Sequence, residues 1–235
     1  MSAAPDKTRY FEGLAGTWDA TLNQDEQGKR LRLAFGRLLA PESVRGRRVL
    51  DAGCGTGNFS QVLAGWGARL VSLDIGPSLA ALARKKSGAP AVCADLMALP
   101  FPDGAFDLVF STEAVEHTTE PRRAVDELAR VVAPGGTLLL TTPNRLWRPA
   151  IVLATALGLR PYEGLENWVW PGDLERWLSE AGLKVEGRAG FNLLPHTVFC
   201  RPAFDWLDRL PGLRGLMINV WVRAVRPAPP RPGAA

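Results

Sequence analysis

An α/β fold built on a doubly wound, mostly parallel sheet of seven strands, with helices on both faces, is what the sequence predicts. Three observations point there. Short apolar, β-branched runs alternate with helix-like runs along most of the chain, the pattern of βαβ units feeding a parallel sheet. The first such run, at 49–57 (VLDAGCGTG), ends in an acid and turns through spaced glycines into a helix. The chain is 235 residues long, with 46% hydrophobic and 22% charged residues, enough for one large domain with a well-buried core.

The elements follow in order. Residues 29–39 (KRLRLAFGRLL) have the apolar spacing of a helix and belong to an expected N-terminal helical cap over 1–45. In that cap Tyr10, Phe11 and Trp18 suit a lid or ordinary core packing equally. Strand 48–51 and helix 59–65 flank the glycines, and strand 69–74 leads to helix 77–86. Strands 91–93 and 106–111 precede a helix at 121–132, which strand 136–142 follows. Helix 172–181 and strands 184–189 and 217–224 complete the set. Pro121 and Pro171 fall at first helical turns, where a missing N–H costs nothing. Gly135, Gly136 and Gly182 sit just past helix ends, where a positive φ is useful. Segment 145–170 interrupts the alternation, and its apolar run PAIVLATALGL reads as a short extra helix. A single domain over 1–225 is expected, with a disordered, proline-rich tail at 226–235.

The balance of 28 basic against 24 acidic residues leaves a net charge of +4, too mild to imply nucleic acid by itself. Only five of the basic residues are lysine, which beside the abundant Ala, Gly and Pro reads as compositional bias. Cys54, Cys93 and Cys200 are widely spaced and form no C-x-x-C pair, so neither a zinc site nor a disulfide framework is indicated. A reduced, cytoplasmic setting fits. The N-terminal MSAAPDKTRYFEG lacks the apolar core of a signal peptide, and no apolar run of ~18 residues marks a membrane span.

The glycine turn is the sharpest local signal. Gly53, Gly55 and Gly57 let the backbone bend and let a ligand approach the main chain, while the following helix start favours negative or polar groups. A dinucleotide pattern needs a further glycine where Asn58 or Ser60 stands, and no G-K-[ST] follows, so a pyrophosphate cradle is disfavoured. Alone, the turn is as well explained by tight local geometry. Asp74, ending the second strand 21 residues after Gly53, changes the balance. An acid there accepts hydrogen bonds from ribose hydroxyls. Asp95 follows the third strand, placed for the amino group of a purine held between Ile75 and Leu96.

These stations together resemble the class I S-adenosylmethionine-dependent methyltransferases. VLDAGCGTGNFS is similar to that family's first motif, and LPFPDGAFDLVFSTEAVEH and RAVDELARVVAPGGTLLLTTPN are similar to its fourth and fifth strand segments. The resemblance implies a Rossmann-like sheet with an antiparallel last hairpin, and S-adenosyl-L-methionine as cofactor. It implies a cofactor site made of Arg32, Asp51, Gly53, Cys54, Gly55, Gly57, Asp74, Ile75, Asp95, Leu96 and Thr112. Within the family the chain most resembles the ubiquinone-biosynthesis O-methyltransferases. The shared features are Glu116-His117 after strand four, Asn144-Arg145 after strand five, and an insertion at 146–170. Arg32 lies about where such enzymes hold an arginine that meets the methionine carboxylate.

A hydroxyl acceptor must lose its proton, which requires a base or a metal near the transferred methyl. Glu113, Glu116 and His117 have the i, i+3, i+4 spacing that brings side chains to one helical face. They also follow strand four at its C-terminal end, where open α/β sheets bind ligands. His117 with Glu116 and Glu113 is therefore the candidate catalytic set. A Glu-Glu-His group also suits a hard divalent ion, though no metal is assigned; His196 carries no assignment. The expected partner is a small-molecule acceptor rather than nucleic acid, because Ser111-Thr112-Glu113-Ala114 replaces the [ND]-P-P-[YF] motif of base methylation. Trp147, Tyr162, Trp168 and Trp170 around the apolar run suit an acceptor lid, a peripheral membrane contact or plain packing. A non-catalytic S-adenosylmethionine-binding module is the alternative from another class.

Overall fold

The computed structural model describes residues 24–158, 165–192 and 210–229, together with Gly13. Tyr10, Phe11, Trp18, Tyr162, His196, Cys200 and the tail from 230 onward lie outside the described residues.

Helix α1 (Gln24–Leu33) runs into a π-helical turn (Ala34–Leu38) and the short α2 (Pro41–Val44). Then come β1 (Arg48–Ala52), α3 (Asn58–Gly65), β2 (Arg69–Asp74), α4 (Pro77–Ser87), β3 (Ala91–Cys93) and β4 (Phe106–Thr112). A 3₁₀ turn (Val115–His117) leads to α5 (Pro121–Arg130) and the long β5 (Val132–Pro143). After a 3₁₀ turn at Arg145–Trp147 the chain forms α6 (Arg148–Ala156), α7 (Pro171–Glu180), β6 (Lys184–Phe191), the 3₁₀ turn Pro211–Leu216 and β7 (Asn219–Val225).

The strands join one sheet in the order β3-β2-β1-β4-β5-β7-β6. The first five are parallel, and β7 inserts antiparallel between β5 and β6. This is the Rossmann-like arrangement with its antiparallel last hairpin. Period-two alternation explains the layering. In β1 and β5, Leu50, Leu138 and Leu140 face a core with Val125 and Leu128 of α5 and Leu174 and Leu178 of α7. Val49 and Leu139 face the opposite core, with Phe59 and Leu63 of α3 and Trp221 of β7. Each fully buried leucine contributes roughly 1.5–3 kcal/mol against exposure.

Several boundaries depart from expectation, strand 136–142 running over Val132–Pro143, 184–189 over Lys184–Phe191 and 217–224 over Asn219–Val225 among them. The first helix already includes Gln24, ahead of the expected 29, and loosens at Ala34 into the π turn. The wider turn brings Phe35 among Phe59, Trp66 and Phe110, at ring distances of 5.8, 4.9 and 6.1 Å. The helix expected to reach 132 stops at Arg130, because Val132 already pairs with Phe106 of β4. The register then shifts, so that Leu108 meets Thr137. Gly136 passes through that irregularity, where a Cβ would lie 2.8 Å from the Ala133 carbonyl oxygen. The apolar run after strand five does form a helix, α6.

The chain runs from β1 outward to β3, then returns to place β4 on the other side of β1. Ligands of open α/β sheets bind at such a reversal, beyond the C-terminal strand ends.

Candidate active site

Beyond β1 the glycines are constrained by close neighbours. Gly53 has φ +74°, and a Cβ there would lie 2.3 Å from Cβ of Ala114. Gly57 has φ +85°, and its Cβ would lie 2.5 Å from Cα of Ala83 on α4. The turn is thus wedged between the segment after β4 and helix α4. The amides of Gly53 and Cys54 donate to the Leu73 carbonyl at 2.8 and 2.9 Å. Asp74 is fixed by two further amides, Gly55 N–H at 2.8 Å and Gly76 N–H at 3.0 Å, one on each carboxylate oxygen.

A cleft of about 940 Å³, counted out to its mouth, opens over this turn. Gly53, Cys54, Gly55, Asp74, Ile75, Asp95, Leu96 and Thr112 line it, all of them on the expected cofactor surface. Glu113 and His117, from the expected catalytic set, line it too. Asp95 accepts from the Met97 amide at 2.9 Å. Burial pushes the Cys54 thiol well above its ordinary range, helped by the charges of Asp51 and Asp74.

Four expected site residues stand elsewhere. Arg32 is exposed, and Arg30 faces the cleft in its place. Two residues along a helix point about 200° apart, so both cannot face it. Arg30 approaches Glu113 at 3.6 Å and lies 6.0 Å over the Phe191 ring. Asp51 is buried beneath the turn, accepting from Ser60 Oγ at 2.5 Å, and does not line the cleft. Burial, which outweighs that hydrogen bond, raises its carboxyl to about 7. Gly57 packs against α4 outside the cleft wall. Glu116 is 1% exposed and behind the wall, its Oε2 lacking a hydrogen-bond partner among the described residues. Burial, reinforced by the Glu113 charge, pushes its carboxyl well above the ordinary range.

The turn after β4 is tightly held. Glu113 takes the left-handed backbone conformation, φ +51°, which costs a non-glycine residue roughly 1 kcal/mol. Its oxygens accept from Thr141 Oγ1 at 2.7 Å and Asn219 Nδ2 at 2.8 Å. The imidazole of His117 meets the Leu165 carbonyl at 2.9 Å through Nδ1. A carbonyl only accepts, so Nδ1 carries the proton and the neutral ring has its lone pair on Nε2, 3.9 Å from Glu116 Oε1. The returning end of the insertion is stitched to the same turn: Asn167 donates from its amide to Glu116 O at 2.7 Å and from Nδ2 to Thr118 O at 2.7 Å. Among the described residues no three His, Cys, Asp or Glu side chains converge on a metal position.

Sequence reasoning also missed Thr56, Asn58 and Leu79, which line the cleft. Their only signal is position, Thr56 within the glycine turn and Asn58 and Leu79 in the first turns of the helices that follow the glycines and Asp74.

The chemistry of the wall suits an adenosine bearing an amino-acid tail. Side-chain-free backbone turns past it at Gly53 and Gly55, Asp74 offers a fixed anionic acceptor pair, and Ile75, Leu79 and Leu96 supply flat apolar flanks near Asp95.

A family model described as a methyltransferase domain matches residues 50–140. The chain is similar to the ubiquinone biosynthesis O-methyltransferase of Xanthomonas euvesicatoria, 33% identical over 198 residues and 78% of each chain. It is equally similar to the protein of that name from Pseudomonas aeruginosa, 33% identical over 214 residues, 83% of this chain and 90% of that one. Among solved structures it is similar to an S-adenosylmethionine-dependent methyltransferase from Mesorhizobium loti, with TM-score 0.64, 22% identity, and coverage of 83% and 97%. The magnesium protoporphyrin IX methyltransferase of Synechocystis, solved with bound SAH, gives TM-score 0.67 at 19% identity, covering 94% of this chain and all 100% of that one. At these identities the solved structures speak for the fold.

Proposed function

Because the chain belongs to the class I S-adenosylmethionine-dependent methyltransferases, we propose that it methylates an oxygen of a small-molecule acceptor, with His117 as the base. The observation carrying this reading is the hydrogen bond between His117 Nδ1 and the Leu165 carbonyl, which makes Nε2 the basic atom of an imidazole that lines the cleft. The name of the relatives, O-methyltransferases of ubiquinone biosynthesis, supports an oxygen acceptor.

When bound, S-adenosylmethionine supplies a methyl group already activated on a sulfonium. The residues have less to do: align the acceptor, exclude water and take one proton. Asp74 holds the ribose hydroxyls, Asp95 the adenine amino group, and Arg30 the methionine carboxylate. The acceptor enters the cleft beside Glu113 and His117. Nε2 of His117 would take the hydroxyl proton of an acceptor held in the cleft.

Replacing His117 by Ala should lower turnover by ~10²–10⁴-fold at saturating acceptor, with S-adenosylhomocysteine affinity near wild type. Equal rates in mutant and wild type would return His117 to a structural role. Loss of activity on chelation, restored by Mg²⁺, would instead support metal-assisted removal of the proton.

A further inference from the structure

The sheet gives the cleft a direction. Asp95 follows β3, Asp74 ends β2, the glycine turn follows β1 and Thr112 ends β4, which is the order in which those strands lie side by side. Neighbouring strands stand about 4.8 Å apart, so the line from β3 to β4 is roughly 14 Å long. With adenine assigned to Asp95 and ribose to Asp74, the tail of the same molecule reaches the β4 end. Glu113 and Arg30 line the cleft there.

Glu113 is ordered before any ligand arrives. Ala114 beside it fills the space that a Cβ on Gly53 would need, which seats this segment against the glycine turn. Thr141 Oγ1 accepts from the Glu113 amide at 3.1 Å and donates to one carboxylate oxygen, while Asn219 Nδ2 donates to the other. Both donors are neutral, so they fix the carboxylate without cancelling its charge. The Arg30 guanidinium stands 3.6 Å from Oε2, beyond hydrogen-bond length, so two opposite charges line the wall side by side.

Resting on the cofactor assignment above, we propose that Glu113 binds the α-ammonium of S-adenosylmethionine while Arg30 binds its carboxylate. An amino-acid tail is a zwitterion, and an ion pair on the wall places each of its charges beside an opposite one. An arginine alone answers only half of that tail. The bonds from Thr141 and Asn219 persist in the complex, and the ammonium adds a charged contact to a carboxylate that is already ordered, at little cost in side-chain entropy. Glu113 then holds the methyl donor, and the proton of the acceptor is left to His117.

The test is calorimetry with ligands that share an adenosine. S-adenosylhomocysteine carries both charges, its decarboxylated analogue keeps the ammonium, its deaminated analogue keeps the carboxylate, and methylthioadenosine has neither. Glu113→Gln should weaken S-adenosylhomocysteine and the decarboxylated analogue about tenfold, and leave the deaminated analogue and methylthioadenosine within about twofold of wild type. Arg30→Met should reverse the pattern for the two analogues, weakening the deaminated one and sparing the decarboxylated one. Glu113→Gln that weakens every ligand equally, or none, would overturn the role. If that variant fails to fold, wild-type protein decides: the deaminated analogue should bind about tenfold more weakly than S-adenosylhomocysteine, and equal binding would overturn the proposal. Wild-type protein that binds none of these ligands would overturn the cofactor assignment itself, a result distinct from the others.

Discussion

Asp51 is a carboxyl folded into a place that water does not reach, answered by the hydroxyl of Ser60, which in turn meets Ser72 at 2.9 Å. Burial raises it to about 7, against an ordinary value near 4 in the unfolded chain. A carboxyl raised on folding contributes stability that is fully present below about pH 4 and is lost as pH rises through about 7. Wild-type protein should therefore lose melting temperature between about pH 5 and 8, and Asp51→Asn should lose less across the same window. Thermal melts at both ends of that window measure the difference, and parallel profiles would contradict the assignment. Glu116 adds to the same trend, since burial also holds its carboxyl above the ordinary range. The acid expected on the cofactor surface is thus a support beneath it. Its neighbour in the motif, Gly53, does reach the cleft. The motif marked the right turn, while the facing of each residue depended on strand alternation and on Ser60, nine residues on.

Among elements, α6 is the unusual one, because none of its residues is buried. Val152 and Leu153 are 56% and 60% exposed, and Leu146, Leu157 and Trp170 nearby are also exposed apolar side chains. Arg145 and Arg148 stand at its start. No described helix is long and apolar enough to cross a membrane. We propose that this insertion lies on an anionic membrane surface, gaining from buried apolar area and from the arginines together. Wild-type protein should then co-sediment with anionic vesicles at low salt and be released at high salt, and polar substitutions at Ile151, Val152 and Leu153 should abolish binding without unfolding. Protein that stays in the supernatant at low salt would make the segment a lid over a soluble acceptor. The helix was legible from the run PAIVLATALGL, whereas its exposure was not, since apolar spacing records what a segment offers and not what covers it. The same limit explains the first helix. The spacing of 29–39 marked a helix, but the π turn seats Phe35 against rings from two distant segments, α3 with its capping Trp66 and β4.

Across the whole molecule, the alternation of strands and helices carried the architecture, because a parallel strand buried on both faces leaves an apolar run that few other structures produce. The glycine turn, Asp74 and Asp95 marked the cofactor side of the cleft for a related reason: they end strands, and strand ends converge at the point where the sheet order reverses. What escaped the sequence depends on contacts distant along the chain. Arg30 reaches Glu113, Asn219 reaches Glu113 from the last strand, and Leu165 supplies the carbonyl that orients His117. The irregular start of β5 escaped for another reason, as proline and two glycines at 134–136 read equally well as a turn after a helix and as a bulge within a strand. The central claim concerns the atom that is methylated. S-adenosylmethionine carrying a carbon-13 methyl group should be incubated with the protein and a metabolite extract, and the labelled product examined by nuclear magnetic resonance. The label is predicted on an oxygen of a small molecule, with transfer strongly reduced in His117→Ala. Label found on nitrogen or carbon, or none transferred by active wild-type protein across the extract, would contradict oxygen methylation at this cleft.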